Sequence, residues 1–180
     1  MRIQAQDSML LVVDIQTRLL PAIHEGESVL SNATWLVDVA QTLKLPVLAT
    51  EQYPQGLGLT EQSLRARFPA THVIEKIHFS AVTKGALLAH PEANKQQWIV
   101  VGTEAHVCVQ QTVLDLLARD LQVFVVAEAV GSRKPQDKAL ALDRMRQNGA
   151  EIVSREMVVF EWLEKANTPE FREVLTKFLR

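Results

Sequence analysis

Cysteine is nearly absent from this chain: its 180 residues include one, Cys108. An intramolecular disulfide is therefore impossible, and a cysteine-rich zinc centre is excluded with it. Also missing is any apolar run near the ~20 residues that span a bilayer. The opening MRIQAQDSMLLVVDIQ has no basic start, long apolar core or small-residue cleavage site of a secretory signal. These absences point to a soluble, cytoplasmic chain with no membrane partner. No basic surplus exists, because 19 Lys and Arg face 21 Asp and Glu for a formal charge of -2. A general phosphate-backbone binder needs a basic surplus, so no nucleic-acid partner is expected. The histidines His24, His72, His78, His90 and His106 show no HxH or HExxH spacing, and no GxGxxG or GxxxxGK[ST] occurs. Neither a metal nor a nucleotide cofactor is expected.

What is present is the balance of a globular protein, 47 % hydrophobic and 22 % charged. A chain of this size makes one domain, here 1-180, and buries roughly 70 % of its unfolded surface. No internal repeat, low-complexity tract or Ser/Gly-rich linker divides it. Met9 to Val13 (MLLVV) reads as a strand covered on both faces. Val29, Leu30, Ala33, Leu36, Val37, Ala40 and Leu43 trace one helical stripe. Further strands are read at 46–50 (PVLAT), 71–77 (THVIEKI), 98–101 (WIVV), 121–126 (LQVFVV) and 150–153. Helices are read from about Val107 to Arg119 and from Pro135 to Gln147, the second stopped by Asn148-Gly149. Thr168, Pro169 and Glu170 signal the start of a C-terminal helix at about 168-180, which packs either on the parent core or on a neighbouring subunit. Trp35 falls opposite the apolar stripe of its helix and raises the same question of self-association. Strands alternating with helices imply right-handed crossovers and a parallel sheet with helices on both faces.

Ligands of such sheets collect beyond the carboxyl ends of the strands. Three reactive side chains stand there: Asp14 after MLLVV, Lys76 near the end of THVIEKI, and Cys108 a few residues after WIVVG, close to the start of the next helix. A thiol at a helix N-terminus faces unpaired N–H groups and the positive end of the dipole, both of which favour thiolate. The same N–H groups can hold an oxyanion. Asp14 suits a general base, and Lys76 inside an apolar strand needs a partner that Asp14 and the thiolate supply. The plainer readings are an inert buried cysteine, a turn aspartate and a lysine snorkelling to water beside Glu75. Gln16 is placed to hold Asp14 or a substrate, and His106 to face a turn or the substrate. The segment 50–60 (TEQYPQGLGLT) is the longest irregular stretch and overhangs the strand ends.

LLVVDIQ with Asp14, EKIHFSA with Lys76 and GTEAHVCVQQTVLDL with Cys108 together resemble the isochorismatase-like (cysteine) hydrolase family, from about Met9 to Val159. TEQYPQGLG and ALDRMRQNGA are similar to the isochorismatase domain-containing subgroup. The resemblance implies a three-layer α/β/α fold with a six-stranded parallel sheet and an Asp14-Lys76-Cys108 catalytic triad. It also implies a cis peptide between Thr103 and Glu104, with Ala105 and Val107 in the oxyanion region, and a homo-oligomer, a dimer or higher. Nicotinamidases of the family hold a metal through an Asp and two histidines after the second strand. This chain has Glu51, Gln52 and Tyr53 there, so no metal is expected. The members that cleave a vinyl ether typically lack the cysteine, so Cys108 favours cleavage of an amide or ureido C–N bond in a small-molecule substrate through a thioester. Gln16, Glu51, Gln52, Tyr53, His78, Phe79 and His106 are expected to border that substrate. Two other classes stay open: a non-catalytic ligand-binding or scaffold member of the fold, and a redox sensor built on the lone thiol.

Overall fold

The computed structural model describes all of residues 1–180. Six strands form one sheet: β1 (Ser8–Val13), β2 (Val47–Gln52), β3 (Val73–Lys76), β4 (Gln97–Thr103), β5 (Gln122–Gly131) and β6 (Glu151–Val153). All neighbours run parallel, in the order β3-β2-β1-β4-β5-β6. The chain thus steps outward from β1 in one direction, returns to β4, and steps outward in the other. That reversal puts the topological switch between β1 and β4, where such sheets open a crevice at their carboxyl ends.

The continuous apolar run of β1 is explained by two cores. Leu10 and Val12 belong to one apolar cluster, while Met9, Leu11 and Val13 belong to the other. Successive strand side chains point to opposite faces, so a strand with both faces covered is apolar at every position. The first face is covered by α1 (Gly26–Thr42), α7 (Arg155–Leu163) and α8 (Pro169–Phe178); the second by α5 (Gln110–Leu117) and α6 (Pro135–Gln147). Helices on both faces of a parallel sheet make a three-layer α/β/α fold. Short helices α2 (Pro54–Leu57), α3 (Gln62–Arg65) and α4 (Ala86–Ala89) fill the connections around β3. No helix is long and apolar enough to cross a membrane.

The expected elements are present, with boundary shifts of physical interest. The second strand runs two residues past Thr50, because Glu51 and Gln52 pair with Glu75 and Lys76 of β3. The helix expected from Val107 begins as a π-helical turn, Ala105–Val109, and becomes α-helical at Gln110. α7 is not apparent from periodicity; the Ser154 side chain caps it by accepting from the Met157 N–H. Thr168 caps α8, its hydroxyl accepting from the Phe171 N–H at 3.0 Å. α8 packs on its own chain. Val174 is fully buried, Phe178 meets Trp35 edge to face at 6.4 Å, and the Trp35 indole donates to the Phe178 carbonyl at 3.1 Å. Arg155 covers Trp35 at 4.4 Å from the ring centroid, a cation–π contact. Trp35 is therefore an intramolecular dock for the C-terminus.

Candidate active site

The first residue past β1 is Asp14, fully buried and in the left-handed region at φ 51. That conformation turns the chain sharply off the strand end. Across the switch Gly102, at φ 140, pairs with Val13, the residue before Asp14. A side-chain carbon at Gly102 would lie 2.1 Å from the Val13 carbonyl oxygen, so only glycine lets β4 approach β1 here. Thr103 follows, and its hydroxyl donates to the Asp14 carbonyl. The end of β4 is thereby fastened to the turn that carries Asp14.

The two Asp14 oxygens have separate partners. Oδ1 accepts from the Thr50 hydroxyl at 2.7 Å, and Oδ2 from the Lys76 Nζ at 2.8 Å. Lys76 reaches inward from the edge strand β3, its side chain 7 % exposed. The ammonium also donates to Gln52 Oε1 at 2.7 Å and to the Phe79 carbonyl at 2.9 Å. An ammonium has three N–H donors, and these three acceptors take all of them. Lys76 is held as a fixed cation with no donor left for a ligand.

Cys108 lies in the π-helical turn, 4 % exposed and within electrostatic reach of both Asp14 and Lys76. The expected triad residues are thus brought together from three strand ends. The thiol is not held as the expected thiolate. Burial pushes it well above the ordinary thiol range, the Asp14 carboxylate pushes it further, and Lys76 pulls it only part of the way back. Desolvation and the Asp14 charge together outweigh Lys76, so the resting sulfur is disposed to keep its proton.

All peptide bonds are trans, Thr103-Glu104 included, which corrects the expectation of a cis bond. The reversal is made instead by Glu104 in the left-handed region, φ 55 and ψ 63, leading into the π-helical turn. Within that turn Val107 and Val109 donate to the Glu104 carbonyl at 2.9 and 3.3 Å. Val107, expected in the oxyanion region, has therefore committed its N–H. The Ala105 and His106 N–H groups open that turn.

Several residues expected to face a substrate are spent on structure. The buried Gln16 side chain donates to the Gln52 and Gly58 carbonyls at 2.9 and 2.6 Å and accepts from the Gln52 N–H at 2.7 Å. Glu51 is 1 % exposed; its Oε1 accepts from the Thr60 N–H and hydroxyl and lies 3.3 Å from Arg65. Gln52 spans Lys76 and the Ile77 carbonyl, each at 2.7 Å. His106 meets the Ser132 hydroxyl at 2.9 Å, and Glu104 pairs with Arg133 at 2.8 Å, so both side chains turn to the β5–α6 connection. Tyr53 and Phe79 are about half exposed, and His78 is exposed beside them. His78 lines a 520 Å³ cleft along β3, with Lys76, Pro54 and Lys84. Thr50 escapes sequence reasoning, although a threonine closing an apolar strand next to a strand-end aspartate is a legible signal.

A doubly covered parallel sheet with an acid, a cation and a thiol at its switch point defines a hydrolase-type α/β domain. The isochorismatase domain model matches residues 8–157, and the chain belongs to that family of hydrolases. Isochorismatase domain-containing protein 2 of Danio rerio is 36 % identical over 174 residues, covering 96 % of this chain and 87 % of its own. The MAR1 ribonuclease of Caenorhabditis elegans superposes with a TM-score of 0.91 at 35 % identity, covering 100 % of this chain and 93 % of that one. YcaC of Pseudomonas aeruginosa, solved with hexane-2,5-diol and covalent acrylamide, gives 0.87 at 26 % identity, covering 99 % and 92 %.

Proposed function

We propose that this chain is a cysteine-dependent hydrolase that cleaves an amide or ureido C–N bond in a small molecule, with Cys108 as nucleophile. The observation that carries the reading is the buried Cys108 thiol within reach of Asp14, whose own geometry is fixed by Thr50 and Lys76. As the sulfur attacks the substrate carbonyl carbon, Asp14 takes the thiol proton, and the C–S bond forms while the carbonyl becomes an oxyanion. Lys76 offsets the charge of the ionising pair. The Ala105 and His106 N–H groups, at the start of the turn that carries Cys108, are the donors for the oxyanion. Collapse breaks the C–N bond, and the Asp14 proton goes to the leaving nitrogen. Water then attacks the thioester, gives a proton to Asp14, and the C–S bond breaks with that proton returning to the sulfur. No step uses a cofactor or metal.

The covalent acrylamide carried by the YcaC relative supports a pocket that admits a small amide. The name of the nematode relative raises RNA as a substrate instead. The amide reading is favoured because the site's cation, Lys76, has all its donors engaged and the chain carries a net charge of -2. Phosphodiester recognition needs free cations. The test is turnover of a panel of small amides and ureido acids by wild type and Cys108→Ala. Release of amine or ammonia that vanishes in the variant supports the proposal; turnover that survives, or RNA cleavage alone, overturns it.

A further inference from the structure

The side chain of Gln52 touches Lys76 but is not placed among the reacting groups. Both of its polar ends are occupied: Oε1 accepts from Lys76 Nζ at 2.7 Å, and Nε2 donates to the Ile77 carbonyl at 2.7 Å. Its backbone is gripped as firmly. The N–H donates to Gln16 Oε1 at 2.7 Å, while the carbonyl accepts from Gln16 Nε2 at 2.9 Å. Gln16 in turn follows Asp14 by two residues and donates its N–H to the Asp14 carbonyl at 3.0 Å. A closed path of hydrogen bonds therefore runs from Asp14 through Gln16 and Gln52 to Lys76 and back to Asp14. The path is buried, with Gln16 at 0 % and Gln52 at 7 % exposure.

We propose that Gln52, supported by Gln16, is a positioning residue that holds the Lys76 ammonium on Asp14 and toward Cys108. It acts through Lys76 and makes no contact with substrate. An isolated lysine on an edge strand has four rotatable side-chain bonds and water within reach, and ordering it carries a large entropy cost. Three acceptors at fixed corners restrict the ammonium to one direction. Gln52 is the side-chain corner that is neither the base nor part of the β3 connection. With that corner gone, the ammonium is free to swing toward the cleft along β3, and Cys108 faces Asp14 without its compensating charge. Lys76 is the group that draws the thiol down, so its departure makes the sulfur less reactive.

This inference rests on the reading of Cys108 as the nucleophile, but its test needs no substrate. The rate of Cys108 alkylation by iodoacetamide at pH 7.5 is measured in a double-mutant cycle of Gln52→Met and Lys76→Met, with intact mass confirming the site. Methionine keeps the length of glutamine and removes its acceptor. The expected result is about a tenfold slower alkylation for Gln52→Met in the wild-type background, one pK unit of differential charge stabilisation, and less than a twofold effect in the Lys76→Met background. Equal losses in both backgrounds, or none in the wild-type background, overturn the proposal and leave Gln52 a packing residue. Should Gln52→Met fail to fold, Gln52→Asn, which keeps the amide but withdraws it by one methylene, is read in the same cycle by the same criteria. Absence of amide turnover by wild type would refute the proposed reaction while leaving this cycle interpretable.

Discussion

At the scale of single residues, the site is a set of buried groups whose hydrogen bonds are nearly all assigned. Thr50 is the plainest case. Thr50→Val keeps the shape but leaves Asp14 Oδ1 without a donor, and an unsatisfied buried acceptor costs about 1–3 kcal/mol. Chemical denaturation of that variant is expected to show a loss in this range. The raised Cys108 thiol makes a second prediction, with a definite sign. Below the unfolded-state value, about 8.5, both states hold the proton and the group has no pH dependence. As pH rises above it, the unfolded chain ionises while the folded one keeps its proton, so stability falls. Wild type should therefore lose stability between pH 8.5 and 10 by up to ~1.4 kcal/mol per pH unit relative to Cys108→Ala. Denaturation midpoints of both proteins across that range check it; parallel curves would contradict the burial argument.

At the scale of elements, the central strands were legible because they are covered on both faces and therefore continuously apolar over MLLVV and WIVV. α6 was legible from its Pro135 start and Asn148-Gly149 stop. α7 was not, since Ser154 sits directly behind β6 and the apolar residues of Arg155–Leu163 are too dense to show one stripe. Within the candidate site, the convergence of Asp14, Lys76 and Cys108 could be read from their places at strand ends. The duties of Gln16 and Glu51 could not, because both act on backbone or side-chain groups of the 58–60 segment, whose path a sequence does not reveal. The trans turn at Glu104 was hidden for a related reason: several backbone solutions carry a chain from a strand into a helix, and the residue types do not choose between them. Gly102 is the element-scale test. Gly102→Ala must push β4 from β1 where Asp14 and Thr103 meet, and is expected to slow Cys108 alkylation by tenfold or more or to abolish folding. Unchanged alkylation with native stability would mean that the close approach is not needed.

At the scale of the whole molecule, the Cys108 sulfur is almost sealed, while the ends of β2 and β3 expose apolar side chains. Tyr53, Ile77 and Phe79 are each more than half exposed, and they flank the carbonyls that receive Lys76 and Gln52. Exposed apolar side chains favour self-association, and the chain is expected to run as a dimer or larger species in light scattering. Ile77→Asp should shift it toward the monomer; a monomer at all concentrations for wild type would contradict this. The scaffold and redox-sensor readings keep the same fold and differ only in what Cys108 does when a carbonyl compound arrives. The decisive measurement is therefore rapid-quench intact mass spectrometry of the protein mixed with an amide or ureido acid that it turns over. The account predicts an acyl adduct on Cys108 that forms before product and disappears as substrate is exhausted, and that is absent from Cys108→Ala. Turnover with no adduct, or with undiminished rate in Cys108→Ala, would contradict it.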